Sequence, residues 1–463
     1  GINFTVKDTT ATEDYVLTVD ANGEAGWEAA AGGGLDSDSQ YNTVGGTNAG
    51  DSFTGTDAIE NTLIGYNAGT AITTGDYNTA LGKSALQSAE DGTGNTAVGW
   101  RSLEDATGGY NTALGYSAGL NITSGQFNTA IGTGALDAST TPNNLVAVGY
   151  NALGGNTTGT ENTSVGTQAL QSNTTAGNNT AVGFQALVTN TTGGSNTAVG
   201  RIALQANTTA SHNTALGARA LMSATTGAQN TALGSNCLDE NTTGSDNVGI
   251  GFQTLGANTT GQQNVAVGIS SLRDNISGQY NTAIGANALY QNETGNENTA
   301  VGRAALFNNT TSHNTAVGDS ALYSNTSGGG NTAVGRNVMA ANTTGTNNTA
   351  VGNSALDANT TATHNVAIGQ SVLTNSNANY NTGVGADCLK ANQTGTSNTA
   401  LGYEALKSNT TATLNLACGA NSLRANTTGG SNVAVGEQAM RLNTTGASNT
   451  AVGQGSLYSN TTA

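Results

Sequence analysis

Three cysteines and three histidines are the side chains of this 463-residue sequence best suited to nucleophilic or metal chemistry, and the sequence scatters them. Each takes a fixed place in a recurring unit whose core is written "NTAVGFQALVTNTTG" from Asn179 to Gly193. Cys237 and Cys388 take its small Ala-type position and Cys418 its Val-type position, so all three read as small hydrophobes. Cys388 and Cys418 stand two repeats apart in different columns, so an intrachain disulfide is not expected. His212, His313 and His364 each precede the Asn of "NTA" or "NVA". They are too far apart for one chain to gather them around a metal. Three copies of one His could meet on a threefold axis, but the same column also holds Tyr77, Phe127, Gln263 and Tyr280, which reads as solvated filler.

Aromatic side chains follow the glycine of the phrase at Trp100, Tyr116, Tyr150, Phe184, Phe252 and Tyr403. Exposed aromatic rows can stack on sugar rings. These are scattered, and β-surfaces favour aromatics in any case. "NTT" at Asn156, Asn190, Asn258 and Asn443 is formally a glycosylation sequon, although a corner that needs Asn and Thr explains it without glycans. No Ser-His-Asp set, paired carboxylates, phosphate loop, zinc spacing or calcium nonapeptide stands out. No catalytic, cofactor-binding or metal-ligating residue is assigned, and an enzyme is not expected.

The element that positions these residues is the repeat itself. Its glycine recurs from Gly65 through Gly183 to Gly453 in steps of 17, with one-residue deletions before Gly115, Gly318 and Gly385, and Gly45 reads as a degenerate first member. A step held this long means a solenoid or fibre. Helical repeats need about 33 residues, and Asn, Thr and Gly are poor helix formers. The expected fold is therefore all-β: a parallel β-solenoid of about two dozen coils stacked at ~4.8 Å, a rod on the order of 110 Å long.

Each position of the phrase then acquires a task. "NTAVG" is extended, so Ala181 and Val182 must face opposite ways, and the same is expected of Ala186 and Leu187. The larger Val182 and Leu187 are assigned to the interior and the small Ala181 and Ala186 to the outer face. An alanine stripe in water suggests that another backbone packs there, which predicts an oligomer; the alternative, that Ala fills a tight corner, stays open. Gly183 fits a position needing positive φ or close approach. Asn179 and Asn190 fit turns, and stacked coil on coil they can form amide ladders. Asn190 to Gly193 is the corner.

The formal charge of −17 is thin over this length and lacks the clustered Lys and Arg of a nucleic-acid surface. No apolar run approaches the ~20 residues of a membrane helix. Charges such as Arg101, Arg219, Glu404, Glu104, Asp239, Lys390 and Lys407 fall in columns one to two or five to six residues after the glycine, which marks the solvated faces. Residues 1–40 form a separate segment: Tyr15 to Asp20 alternates like a strand, "ANGEAGW" is turn-rich, and Gly32 to Gly34 read as a flexible joint. Residues 41–463 are the repeat shaft. The start at Gly1 and the stop at "SNTTA" predict a processed or partial chain, or an end that docks onto another molecule.

"NTAVGFQAL", "NTAIGANAL" and "NVAVGEQAM" resemble the head repeats of trimeric autotransporter adhesins of the YadA type, a repeat class also found in bacteriophage tail-fibre proteins with "NTTG" corners. The resemblance covers Tyr41 to Ala463. It implies a homotrimer of left-handed parallel β-rolls and an extracellular or virion-surface location. The repeat here is longer than the usual adhesin-head step, and neither a heptad stalk nor an apolar anchor follows, which favours the phage fibre. The opening segment resembles the short joints between modules of phage tails. The expected function is a non-enzymatic attachment-fibre shaft, self-associating and possessing variable columns for a cell-surface glycan or receptor. The alternatives are a filament subunit polymerising end to end and, less favoured because Val433 interrupts the Thr column, an ice-binding solenoid.

Overall fold

A computed structural model describes residues 15–19, 25–29, 35–53 and 57–462. The expected joint at Gly32 to Gly34 lies outside the described residues. Strand β1 (Tyr15–Val19) pairs antiparallel with β2 (Ala25–Ala29), so the last three residues of "ANGEAGW" belong to a strand rather than a turn. A short β3 (Asp36–Ser37) pairs antiparallel with β4 (Thr43–Gly45). The chain divides into two compact units, Gly1–Thr192 and Gly193–Ala463. In the first, nine parallel strands run from β4 to β12 (Thr180–Val182); in the second, sixteen run from β13 (Thr197–Val199) to β28 (Thr450–Val452). The described residues contain no helix. The all-β parallel solenoid expected from the period is therefore present in each unit.

Each coil has one three-residue strand in register with the next: Thr163, Ser164 and Val165 pair with Thr180, Ala181 and Val182. The β-branched residues at both ends of "TAV" favour the extended chain. The glycine that follows takes a φ that only glycine adopts readily, +135° at Gly166, and a Cβ there would lie 2.5 Å from the Gly183 carbonyl oxygen. At the start of the array Gly46, with φ +117° and a virtual Cβ 2.7 Å from the Gly65 oxygen, fills this role. Gly45 instead pairs with Ile64, in the column of Val182, which corrects the sequence register by one residue.

The inside and the outside of the strand are reversed from expectation. Ala181 is fully buried, whereas Thr180 and Val182 face outward. Ala186 is also fully buried, together with Leu187. The strict alternation that separated this pair does not apply, because Gln185 and Leu187 are both left-handed, each at φ +54°. Such a turn places consecutive side chains on the same side. With Leu187 and two asparagine columns filling the coil, the space under the strand takes a small residue; where the Leu187 column holds Gly69 instead, the fully buried Leu63 fills that space. Glycine takes that place where a neighbour is larger: a Cβ on Gly249 would meet Cys237 Sγ at 2.6 Å, and one on Gly383 would meet Val372 Cγ1 at 2.5 Å.

The two asparagine columns form the predicted ladders, but inside the coil. In the column of Asn179, the backbone N–H of Asn281 donates to Asn264 Oδ1 at 3.0 Å, and Asn298 repeats this onto Asn281 at 3.0 Å. In the column of Asn190, the Nδ2 groups of Asn258, Asn275 and Asn292 each donate to the Oδ1 of the preceding asparagine, at 2.7, 2.7 and 3.2 Å. The columns meet at the corner: the Gly278 carbonyl accepts from Asn264 Nδ2 at 2.8 Å and from Asn275 Nδ2 at 3.1 Å. The same pairing recurs at Gly261 and Gly295. Leu145 interrupts the first column, and Ile72, Ala89, Ala106 and Ile122 replace the second in the early coils.

All three one-residue deletions fall in the corner that follows the second column, so strand pairing passes through unchanged, as at Thr299 opposite Thr315. In that coil the carbonyl of Thr311 replaces the glycine carbonyl as acceptor for Asn298 and Asn309.

Replacing Asn281 by Ala strands the buried N–H of Asn298, at an expected cost of about 2 kcal/mol. Thr282→Val, which copies the residue natural at Val248 and Val265, should change stability by less than about 0.5 kcal/mol. Hydrogen exchange should show the loss confined to the coils flanking Asn281. Equal effects of the two substitutions would contradict the ladder.

Candidate functional surface: the outward face of the strands

The interior columns are filled and hydrogen-bonded from coil to coil, so function is sought on the outward columns. The longest of these is the column of Val182, which the strand register stacks residue upon residue. In the second unit, Leu216, Leu233, Ile250, Ile284, Ile368 and Leu401 all lie exposed on it, and Leu81 and Leu114 do so in the first. Smaller valines between them are half-buried by their neighbours in the stack. Sixteen strands at roughly 4.8 Å make this an apolar stripe on the order of 70 Å long in the second unit. Soluble monomers rarely expose a contiguous apolar patch of that extent. Beside it runs the outward column of Thr180, interrupted by Val146, Val248, Val265, Val366, Leu416 and Val433.

The remaining residues singled out from the sequence belong to the scaffold. Asn179 donates its N–H to Asn162 Oδ1 at 2.9 Å, and Asn190 Nδ2 donates to Asn173 Oδ1 at 2.9 Å. Gly183 donates its N–H to the Val165 carbonyl at 2.8 Å, and Gly193 is buried at the corner. The sequon asparagines Asn156, Asn190, Asn258 and Asn443 are fully buried, so a folded coil offers none of them for glycosylation. His212, His313 and His364 are exposed in left-handed positions, with His313 3.5 Å from Glu297 and His364 stacked on Tyr380. Among the described residues no group of three His, Cys, Asp or Glu side chains is placed to hold a metal, and no helix is long and apolar enough to cross a membrane.

The charged columns are not merely solvated. They interlock within and between coils: Lys390 pairs with Asp387 at 2.9 Å and Lys407 with Glu404 at 2.6 Å in their own coils, while Lys407 reaches Asp387 at 3.5 Å and Arg424 reaches Glu404 one coil away. Hydrogen bonds from Lys407 and Arg424 hold the Glu404 carboxyl down at about 2. The column five residues after the glycine behaves differently where it carries Asp137, Asp239 and Asp357. Burial raises all three carboxyls above the usual range.

Three grooves open along this same column. They lie where a small residue, Gly154, Gly256 or Ala340, takes a place that elsewhere holds a long side chain. The column also contains a run of rings, Tyr290, Phe307 and Tyr323, stacked with centroids 5.0 and 5.2 Å apart. In the sequence this column stands out by its charges alone. The shared offset of three aromatics from successive marker glycines was the available signal.

Compared with family models, curated proteins and solved structures, the chain matches none.

Two outcomes follow from these placements. Cys237 and Cys388 are buried, which pushes their thiols up to about 12 and about 11, whereas Cys418 lies half-exposed in the outward apolar column. Maleimide labelling of the folded chain, read by mass spectrometry, should leave Cys237 and Cys388 unmodified; Cys418 should react wherever its column is uncovered. The second outcome concerns pH. Glu404 titrates below its unfolded value, so its stabilisation is complete above about pH 4.5 and is lost as pH falls toward about 2. The raised Asp357 has the opposite sign, and protonation relieves its burial. Melting curves across this range should show a smaller acid loss for Glu404→Gln than for the parent, and a larger one for Asp357→Asn.

Proposed function

We propose that the chain is the shaft of an attachment fibre, a phage tail fibre or a related adhesin outside the cell or on a virion, and that it works as a homotrimer. The observation that carries this reading is the outward Val/Leu/Ile column. An uninterrupted apolar ladder in water is unfavourable by roughly 25 cal/mol per Å² left exposed, and the most economical cover is the same column of another copy, which has identical pitch. The resemblance of the repeat to trimeric adhesin heads points the same way. Ala181 and Ala186 are interior and leave no alanine stripe in water, so the apolar column alone calls for a partner. The saturated ladders make a shaft stiff and resistant to proteolysis, and its variable columns suit weak multivalent contact. Interruption of the Thr column counts against ice binding.

Light scattering with negative-stain imaging tests the reading. Trimers of the 45.7 kDa chain, seen as rods of one length, are expected. Leu216→Lys combined with Leu233→Lys should lower the mass to that of one chain without loss of the β-type circular dichroism, and dissociation should expose Cys418 to maleimide. A monomeric parent would overturn the proposal. Filaments of indefinite length would instead favour end-to-end polymerisation.

A further inference from the structure

The ring run described above ends abruptly. Phe307 stacks on Tyr323 with an angle of 15° between their planes, and at the other end Arg273 lies 5.3 Å over the Tyr290 ring. One coil past Tyr323 the column holds Ala340, and the coil after that holds Asp357. The far face of Tyr323 is thus left without a ring. The space beyond it is a groove of about 590 Å³ bounded by Tyr323, Ser320, Ser324, Ala340, Ala341 and Asp357. This volume falls within the range of small-molecule sites.

The geometry points to a pyranose-binding subsite, in which a neutral sugar ring stacks on Tyr323 at the level of Ala340 and donates a hydroxyl to the Asp357 carboxylate. Two coil steps separate Tyr323 from Asp357, roughly 9.5 Å. One ring at the stacking distance already used in this column fills half of that, and a hydrogen bond of about 2.7 Å closes most of the rest. The apolar C–H face of a sugar meets the negative face of the tyrosine ring, while its rim hydroxyls meet Ser320, Ser324 and Asp357. An anionic ligand is disfavoured by that carboxylate and by the net charge of −17. The grooves at Gly154 and Gly256 also border a half-buried aspartate, but no aromatic residue lines them.

The subsite deepens the attachment reading by naming a ligand class, and it lies within one unit of one chain, so its test does not pass through the oligomeric state. Saturation-transfer difference NMR on the full chain would use lactose, cellotriose and N-acetylglucosamine as neutral probes and choline as a cationic one. Transfer to at least one sugar is expected. Tyr323→Ala should abolish it. Ala340→Phe, which extends the ring stack with a residue the column already accepts at Phe307, should abolish it while leaving the fold intact. Tyr380→Ala, at an exposed aromatic outside this column, should leave it unchanged. No transfer to any sugar, or transfer that survives Ala340→Phe, would overturn the inference. Transfer to choline alone, lost in Asp357→Asn, would overturn it in favour of a cation site. None of these outcomes alters the expected trimer mass, and a monomeric mass would leave the sugar result standing.

Discussion

The buried asparagine amide is the group on which the structure depends. A coil this small cannot sequester its backbone with hydrophobic bulk. Its corners turn inward, and they leave N–H and C=O groups that water does not reach. The Asn281 side chain answers two of these needs at once, accepting from the N–H of the next coil and donating to a corner carbonyl. The second column adds its own donor to that same carbonyl. An unmet buried group costs about 1–3 kcal/mol, so few side chains other than Asn serve at these positions. The early coils substitute Ile72, Ala89, Ala106 and Ile122, which remove the amide altogether, and Ala224 interrupts the column once more between Asn207 and Asn241.

Much of this was legible in the sequence. The glycine interval set the coil length, "TAV" located the strand, and the constancy of Asn at two offsets indicated ladders. The direction of each face was not legible. Alternation along Thr180, Ala181 and Val182 separates two faces without saying which is interior, and side-chain size was a misleading guide. Size reports the room available, and the room beneath the strand was already occupied by Leu187 and the asparagines. The left-handed turn at Leu187 was also hidden, because leucine is a residue that rarely adopts it. Nothing in the local sequence signals that the surrounding hydrogen bonds hold it there.

The same reversal changes what the surface offers. Outside the strand, the chain presents a monotonous apolar column suited to a partner of the same pitch. Away from the strand, the residues five after each glycine vary freely in charge, size and aromaticity. Phe307, Ala340 and Asp357 occupy equivalent places without disturbing the ladders beneath them. In the proposed fibre, assembling and recognising would therefore use different columns of one coil.

The confinement of length changes to one corner of the coil has a consequence for how such a chain arises. Thr299 still meets Thr315 when a corner residue is lost, because the interior contacts of a coil refer only to the coils on either side. A gene segment encoding one coil can therefore be copied, removed or exchanged and still find compatible neighbours. The number of coils can be tuned one at a time by recombination between near-identical stretches of DNA, and the pattern on the variable columns can be reshuffled in the same event.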